Sequence, residues 1–125
     1  MANPGRIDHL DFRVRDVKKV KRFYDALMPV LGFTKISKGE RSRGYYNEDP
    51  RASFFWLVQA VKSAPSRTRV AFAAQTRAEV DRAARVIRRA GGKEICGPEQ
   101  CYTQPYYAVF FEDPEGNKLE VCCRR

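Results

Sequence analysis

Two stretches of this chain repeat one another in register, and that repeat limits the fold more than any other feature. Asp16 and Thr76, Val20 and Val80, Leu27 and Ile87, and Gly32 and Gly92 are each 60 residues apart. The first unit reads as a helix capped by Asp16, with Val17, Val20, Phe23, Tyr24, Leu27 and Leu31 on one stripe. Pro29 kinks or ends its last turn, and Gly32 suits the exit. In the second unit Thr76-Arg77-Ala78-Glu79 has the form of a capping box. Its stripe is Val80, Ala83, Ala84, Ile87 and Ala90, stopped by Gly91-Gly92. A short strand precedes each helix, at residues 9–14 and 69–74. Another follows near Phe33 or Lys93.

A hairpin then repeats with an offset of 64, Glu48-Asp49-Pro50 against Glu112-Asp113-Pro114, and the second turn continues Glu115-Gly116-Asn117. The flanking strands are expected at 43–47 and 53–58 in the first copy, and at 106–112 and 118–123 in the second. Each half reads β-α-β-β-β. Neither can bury its helix stripe and sheet face alone, so the copies must pair. The expectation is one α+β domain over residues 1–125, built from two βαβββ modules in tandem. Module one spans about 6–58, a linker 59–68, and module two 69–123, with mixed sheets curved around a cavity.

A length of 125 residues suits a single core. No apolar run approaches the roughly 20 residues needed to span a bilayer. The first six residues lack an apolar signal core, so a cytoplasmic location and no membrane partner are expected. Lys and Arg number 24 against 15 Asp and Glu, a formal charge of +9, which favours anionic ligands over cationic ones. Much of this charge lies on the two helices, as Arg15, Lys18, Lys19, Lys21 and Arg22 and as Arg77, Arg82, Arg85, Arg88 and Arg89. Such residues form either a phosphate-binding face or the solvated side of amphipathic helices. No helix-turn-helix, finger or RNA-recognition signature accompanies them, so nucleic acid is not the expected partner. The cysteines, Cys96, Cys101, Cys122 and Cys123, lack zinc-knuckle spacing and read as reduced thiols.

The stretches His9-Leu10-Asp11-Phe12, Phe23-Tyr24, Leu31-Gly32-Phe33, Arg69-Val70-Ala71-Phe72 and Ala90-Gly91-Gly92 carry a family resemblance. So, most specifically, does the run from Tyr106 to Glu120, an aromatic strand followed by Asp113-Pro114-Glu115-Gly116-Asn117 and a Glu in the last strand. Together they resemble the vicinal oxygen chelate superfamily, whose fold is that of glyoxalase, bleomycin-resistance and dihydroxybiphenyl dioxygenase proteins. The superfamily hosts lyases, dioxygenases, thiol transferases and plain binding proteins.

In its metal-dependent members each module supplies two inward ligands, one from its first strand and one from its last. The resemblance implies His9 for the first strand of module one and Glu120 for the last of module two. The 60- and 64-residue offsets carry these to Arg69 and Trp56. Arg keeps its proton and only donates, and indole offers an N–H and no lone pair. Half of the ligand positions are therefore unsuited to a metal, and no cofactor is expected. Slipping the first hairpin by two residues substitutes Phe54 or Val58, neither of which ligates. An ion pair between Arg69 and Glu120 across the old site is the natural alternative.

Alternation completes the interior. Leu10, Phe12 and Val14 pack under the helices while His9, Asp11 and Arg13 face the concave side. Val70, Phe72 and Ala74 pack while Arg69, Ala71 and Ala73 face in. Tyr107 and Trp56 edge the cavity, residues 97–104 form either a lid or an exposed loop, and Cys122 shares the face of Glu120. His9 is either structural or cavity-lining, and Glu120 either a structural partner or a working acid or base.

Three functions follow. The first is capture of a small anionic or aromatic molecule in a cavity whose metal site is degraded. The second is a metal-dependent lyase or dioxygenase using His9 and Glu120 as catalytic groups. The third is a basic interaction protein. Exposed sheet edges favour a homodimer.

Overall fold

A computed structural model describes residues 7–102 and 105–125. Strand β1 (His9–Val14) leads into helix α1 (Val17–Leu27), followed by a 3₁₀ turn (Met28–Leu31). Strands β2 (Lys35–Lys38), β3 (Ser42–Tyr46) and β4 (Phe54–Gln59) complete module one. Module two repeats this order as β5 (Val70–Ala73), α2 (Arg77–Arg89), β6 (Lys93–Gln100), β7 (Tyr107–Glu112) and β8 (Lys118–Cys123).

The predicted caps form. Asp16 accepts a hydrogen bond from the Lys18 N–H at 3.0 Å, and the Thr76 hydroxyl from the Glu79 N–H at 3.1 Å. Pro29 ends α1 rather than kinking it, because it sits in the tighter 3₁₀ turn where its missing N–H costs little. Gly32 closes that turn in the left-handed region, at φ +93°.

Each module makes one four-stranded mixed sheet, ordered β1-β4-β3-β2 and β5-β8-β7-β6. The first strand of each module runs parallel to its last. Asp11 stands opposite Trp56, and Ala71 opposite Glu120. The two sequence offsets are thus preserved in the strand pairing itself. Alternation also holds: Phe12, Val14, Phe55, Leu57, Phe72, Leu119 and Val121 are buried, whereas His9, Asp11, Arg13, Trp56, Arg69, Ala71 and Ala73 are exposed.

The helix-facing sides of the two sheets share one core. Phe72 of module two meets Phe55 and Phe33 of module one at ring-centroid distances of 5.3 and 6.1 Å, and Phe23 of α1 meets Phe111 of β7 at 6.1 Å. Polar bonds reinforce the junction. The Glu115 carboxylate accepts the N–H groups of Arg15 and Asp16 at 2.7 and 2.8 Å. The Tyr24 hydroxyl donates to buried Asp113 at 2.5 Å. Asn117 takes the Ser66 N–H of the linker at 2.7 Å.

Residues 97–100, expected in a lid or loop, belong to β6. Register shifts between Lys93 and Glu99 hide the strand's period from the sequence. Thr103 and Gln104 of that expected segment lie outside the described residues, as do residues 1–6 at the start of module one. No helix among the described residues is long and apolar enough to cross a membrane.

Candidate functional site

The outward face of sheet one is aromatic. Phe54 on β4 stands opposite His9 on β1, and their rings stack 4.6 Å apart at 8°. On its other side Phe54 stacks with Tyr46 of β3 at 4.8 Å and 27°. Gly44 makes that arrangement fit, since a Cβ there would lie 2.5 Å from the Tyr46 ring. Trp56, one rung along and opposite Gly44, is 39% exposed. Stacked rings that stay partly open to solvent on a sheet face form a platform for another flat apolar group.

Acidic groups flank the histidine. The Asp8 carboxylate lies 2.7 Å from His9 Nδ1, and Asp11 lies 3.7 Å from Nε2. The hydrogen bond to Asp8 is the main reason that the imidazole pKa is raised, with Asp11 adding to it against the opposing effect of desolvation.

The outward face of sheet two is polar and partly buried. Glu120 is 4% exposed and accepts a hydrogen bond from the Tyr106 hydroxyl. Burial, and then Glu120, push the Tyr106 phenol well up, so it remains a donor. Arg124 lies over the Tyr106 ring at 4.4 Å, and Tyr102 stacks on it at 6.1 Å. Ala71 and Phe110 stand opposite Glu120 on the two sides. Burial first, and then Glu120, also raise the Cys122 thiol, which disfavours the thiolate.

Two expectations are corrected here. Arg69 does not pair with Glu120; it donates to the Leu119 carbonyl at 2.7 Å and lies 5.2 Å over the Phe110 ring. The reason is register: Ala71, not Arg69, stands opposite Glu120. Tyr107 does not edge the outward face. It pairs with Cys123 on the helix side, donates to Asp81 at 2.6 Å, and carries Arg77 over its ring at 4.9 Å. Its neighbour Tyr106 takes the outward place. Tyr46, Phe54, Phe110 and Arg124 were not assigned to the site from sequence, Phe54 entering only as a non-ligating residue of a slipped hairpin. Applying alternation to β3, β4 and β7 as well as to β1 and β5 would have found the first three.

His9, Asp11, Arg13 and Trp56 share sheet one, while Arg69 and Glu120 share sheet two. No hydrogen bond, ion pair or ring contact among the described residues joins the two sets. Both sheets turn their helix-facing sides to the common core, so the outward faces look away from each other. Among the described residues no three His, Cys, Asp or Glu side chains are grouped to hold a metal ion. Of the four positions, Trp56 and Arg69 offer no lone pair to a metal, and one oxygen of Glu120 accepts from Tyr106.

Comparison with solved structures gives the same architecture. A glyoxalase/bleomycin resistance protein from Albidiferax ferrireducens T118 is 24% identical with a TM-score of 0.81, over 95% of this chain and 98% of that one. A glyoxalase/bleomycin resistance protein/dioxygenase family enzyme from Burkholderia phytofirmans PsJN is 15% identical with a TM-score of 0.72, over 94% and 98%. A fosfomycin resistance protein from Mesorhizobium loti is 17% identical with a TM-score of 0.67, over 98% and 93%. At these identities the likeness is one of fold. No protein of curated function matches the sequence. The family model for the glyoxalase/bleomycin resistance protein/dioxygenase superfamily matches residues 6–121, and the chain belongs to that superfamily.

Proposed function

We propose that this protein binds a small planar aromatic anion, without a metal, between sheet one of one copy and sheet two of a second copy. The observation that carries the reading is the stacked ring series Tyr46–Phe54–His9, half-buried at Tyr46 and Phe54 and exposed at His9, with exposed Trp56 beside it. A flat ligand stacking there is desolvated on one side only. The second wall must come from elsewhere, since this chain's own sheet two faces away. Sheet two of another copy brings Arg69 and Arg124 to meet the anion, and the Tyr106–Glu120 pair to meet a polar substituent. Asp8 and Asp11 on one face and the two arginines on the other are of opposite sign, which suits pairing of the copies. A location in the cytoplasm fits this reading but does not enter it.

Trp56 is the sole tryptophan, so intrinsic fluorescence reports on the platform directly. Titration with 2-naphthoate is expected to quench it to saturation at one ligand per chain. Naphthalene should bind more weakly for want of the carboxylate, and cyclohexanecarboxylate more weakly for want of the ring. Phe54→Ala should weaken naphthoate by roughly tenfold, the loss of one stacked ring. Equal affinity for the three probes would overturn the reading. So would submicromolar one-to-one binding of zinc, nickel, manganese or ferrous iron to chelator-stripped protein, lost in His9→Ala and Glu120→Ala. That result would restore a metal-dependent lyase or dioxygenase.

A further inference from the structure

A cluster of unpaired cations lies away from both outward faces, at the seam between the modules. A hollow of about 870 Å³ opens beside the start of α1 and the β7–β8 turn. Five cations line it: Arg15, Lys18 and Lys19 from α1 and its approach, Arg41 from the β2–β3 turn, and Lys93 from the start of β6. All five are exposed, and none forms an ion pair with a described residue. Three carboxylates share the wall. Glu115 is taken up by the N–H groups of Arg15 and Asp16, and Asp16 by that of Lys18. All three keep their negative charge, so five cations against three carboxylates leave the lining at a net +2. The first N–H groups of α1 are themselves occupied, that of Val17 by Gln59, so the positive field comes from side chains drawn from three separate segments.

A single phosphate cannot touch cations spread around a space of this size. A chain of linked phosphates can, because its charges repeat every few ångströms. A second hollow of about 610 Å³ adjoins the first through Lys19 and Pro114 and adds Arg22 and Arg89. The basic path therefore continues along the helix seam. Neither hollow is lined by an exposed aromatic ring on which a base could stack. The chemistry there reads phosphate and not nucleobase. We infer that this seam is a second ligand site, which takes a chain of three or more linked phosphates, free or as the tail of a nucleotide.

Calorimetric titration of the full chain with sodium tripolyphosphate, adenosine triphosphate and orthophosphate tests this. Tripolyphosphate is expected to bind one-to-one, with orthophosphate at least about tenfold weaker. Nucleotide affinity equal to that of tripolyphosphate identifies the phosphate chain alone as the ligand. A higher affinity identifies a nucleotide, and both outcomes support the site. The triple variant Lys18→Ala/Arg41→Ala/Lys93→Ala should lose at least about tenfold. Arg67→Ala/Arg82→Ala/Arg85→Ala, an equal charge change at exposed positions outside the hollow, should lose less than about twofold. All six are surface residues, and matched melting temperatures confirm the fold. Equal losses in the two variants, or no preference over orthophosphate, would overturn the site. Tighter binding of a 20-base-pair DNA duplex than of tripolyphosphate would overturn it in favour of an extended nucleic-acid face. Quenching of Trp56 by naphthoate should persist in both variants, which keeps this site separable from the aromatic platform.

Discussion

At the scale of single residues, Asp25 on α1 shows how a polar cluster holds a sheet to its helix. Arg43 of β3 donates two hydrogen bonds to its carboxylate, at 2.9 and 2.6 Å, and the Tyr45 hydroxyl a third at 2.8 Å. Burial alone would raise the Asp25 pKa, but the bonds from Arg43 and Tyr45 outweigh it and the pKa is lowered. A group whose folded pKa is depressed stabilises the fold above its unfolded pKa, about 4 for Asp. That stability is lost as pH falls from about 4 through the lower folded value. Arg43→Ala leaves the carboxylate with Tyr45 alone and should cost about 1–3 kcal/mol in urea unfolding at pH 7. Asp25→Asn should flatten the fall in stability below pH about 4 relative to the parent. An unchanged acid limb would show that other carboxylates govern it.

At the scale of elements, the β7–β8 turn shows what local pattern reveals and what it hides. Asp113-Pro114-Glu115-Gly116-Asn117 marks a turn by residue type alone, and it forms as such: Asp113 accepts from the N–H groups of Glu115 and Asn117 and from the Asn117 side chain. Nothing local says that Glu115 then reaches across the module boundary to hold the approach to α1. Glu115→Ala should therefore cost about 1–3 kcal/mol, read as a lower melting temperature. Glu115→Gln, which keeps one acceptor oxygen, should recover part of it. The same division separates the predictions that held from those that did not. Caps, stripes and turns depend on neighbours in sequence, so α1, α2 and β8 were legible. Alternation gave the faces of β1 and β5 but not the rung, so the Arg69–Glu120 pair was expected and does not form. The bulged β6 has no steady period, so residues 97–100 were expected in a lid or an exposed loop.

At the scale of the whole molecule, the duplication explains why the candidate residues are divided. Each module places its parallel first and last strands at the same register, so each sheet carries half of the pattern: His9 and Trp56 on one, Arg69 and Glu120 on the other. The sequence shows that four positions correspond. It does not show whether one chain closes them together, because that depends on which sides of the sheets the helices cover. Here the core fills the space between the helix-facing sides, and on the function proposed above a complete site takes two chains. Complementation tests this. Phe54→Ala damages sheet one and Arg69→Ala damages sheet two, so each variant alone should bind naphthoate roughly tenfold more weakly. Unfolding and refolding an equal mixture gives about half heterodimers, each with one doubly damaged and one intact site. About a quarter of the parental quenching amplitude should return at parental affinity. Sedimentation velocity should show a dimer at the same concentrations. No recovery from a mixture that is dimeric would mean that each chain carries its own site, and the shared-site reading would fall.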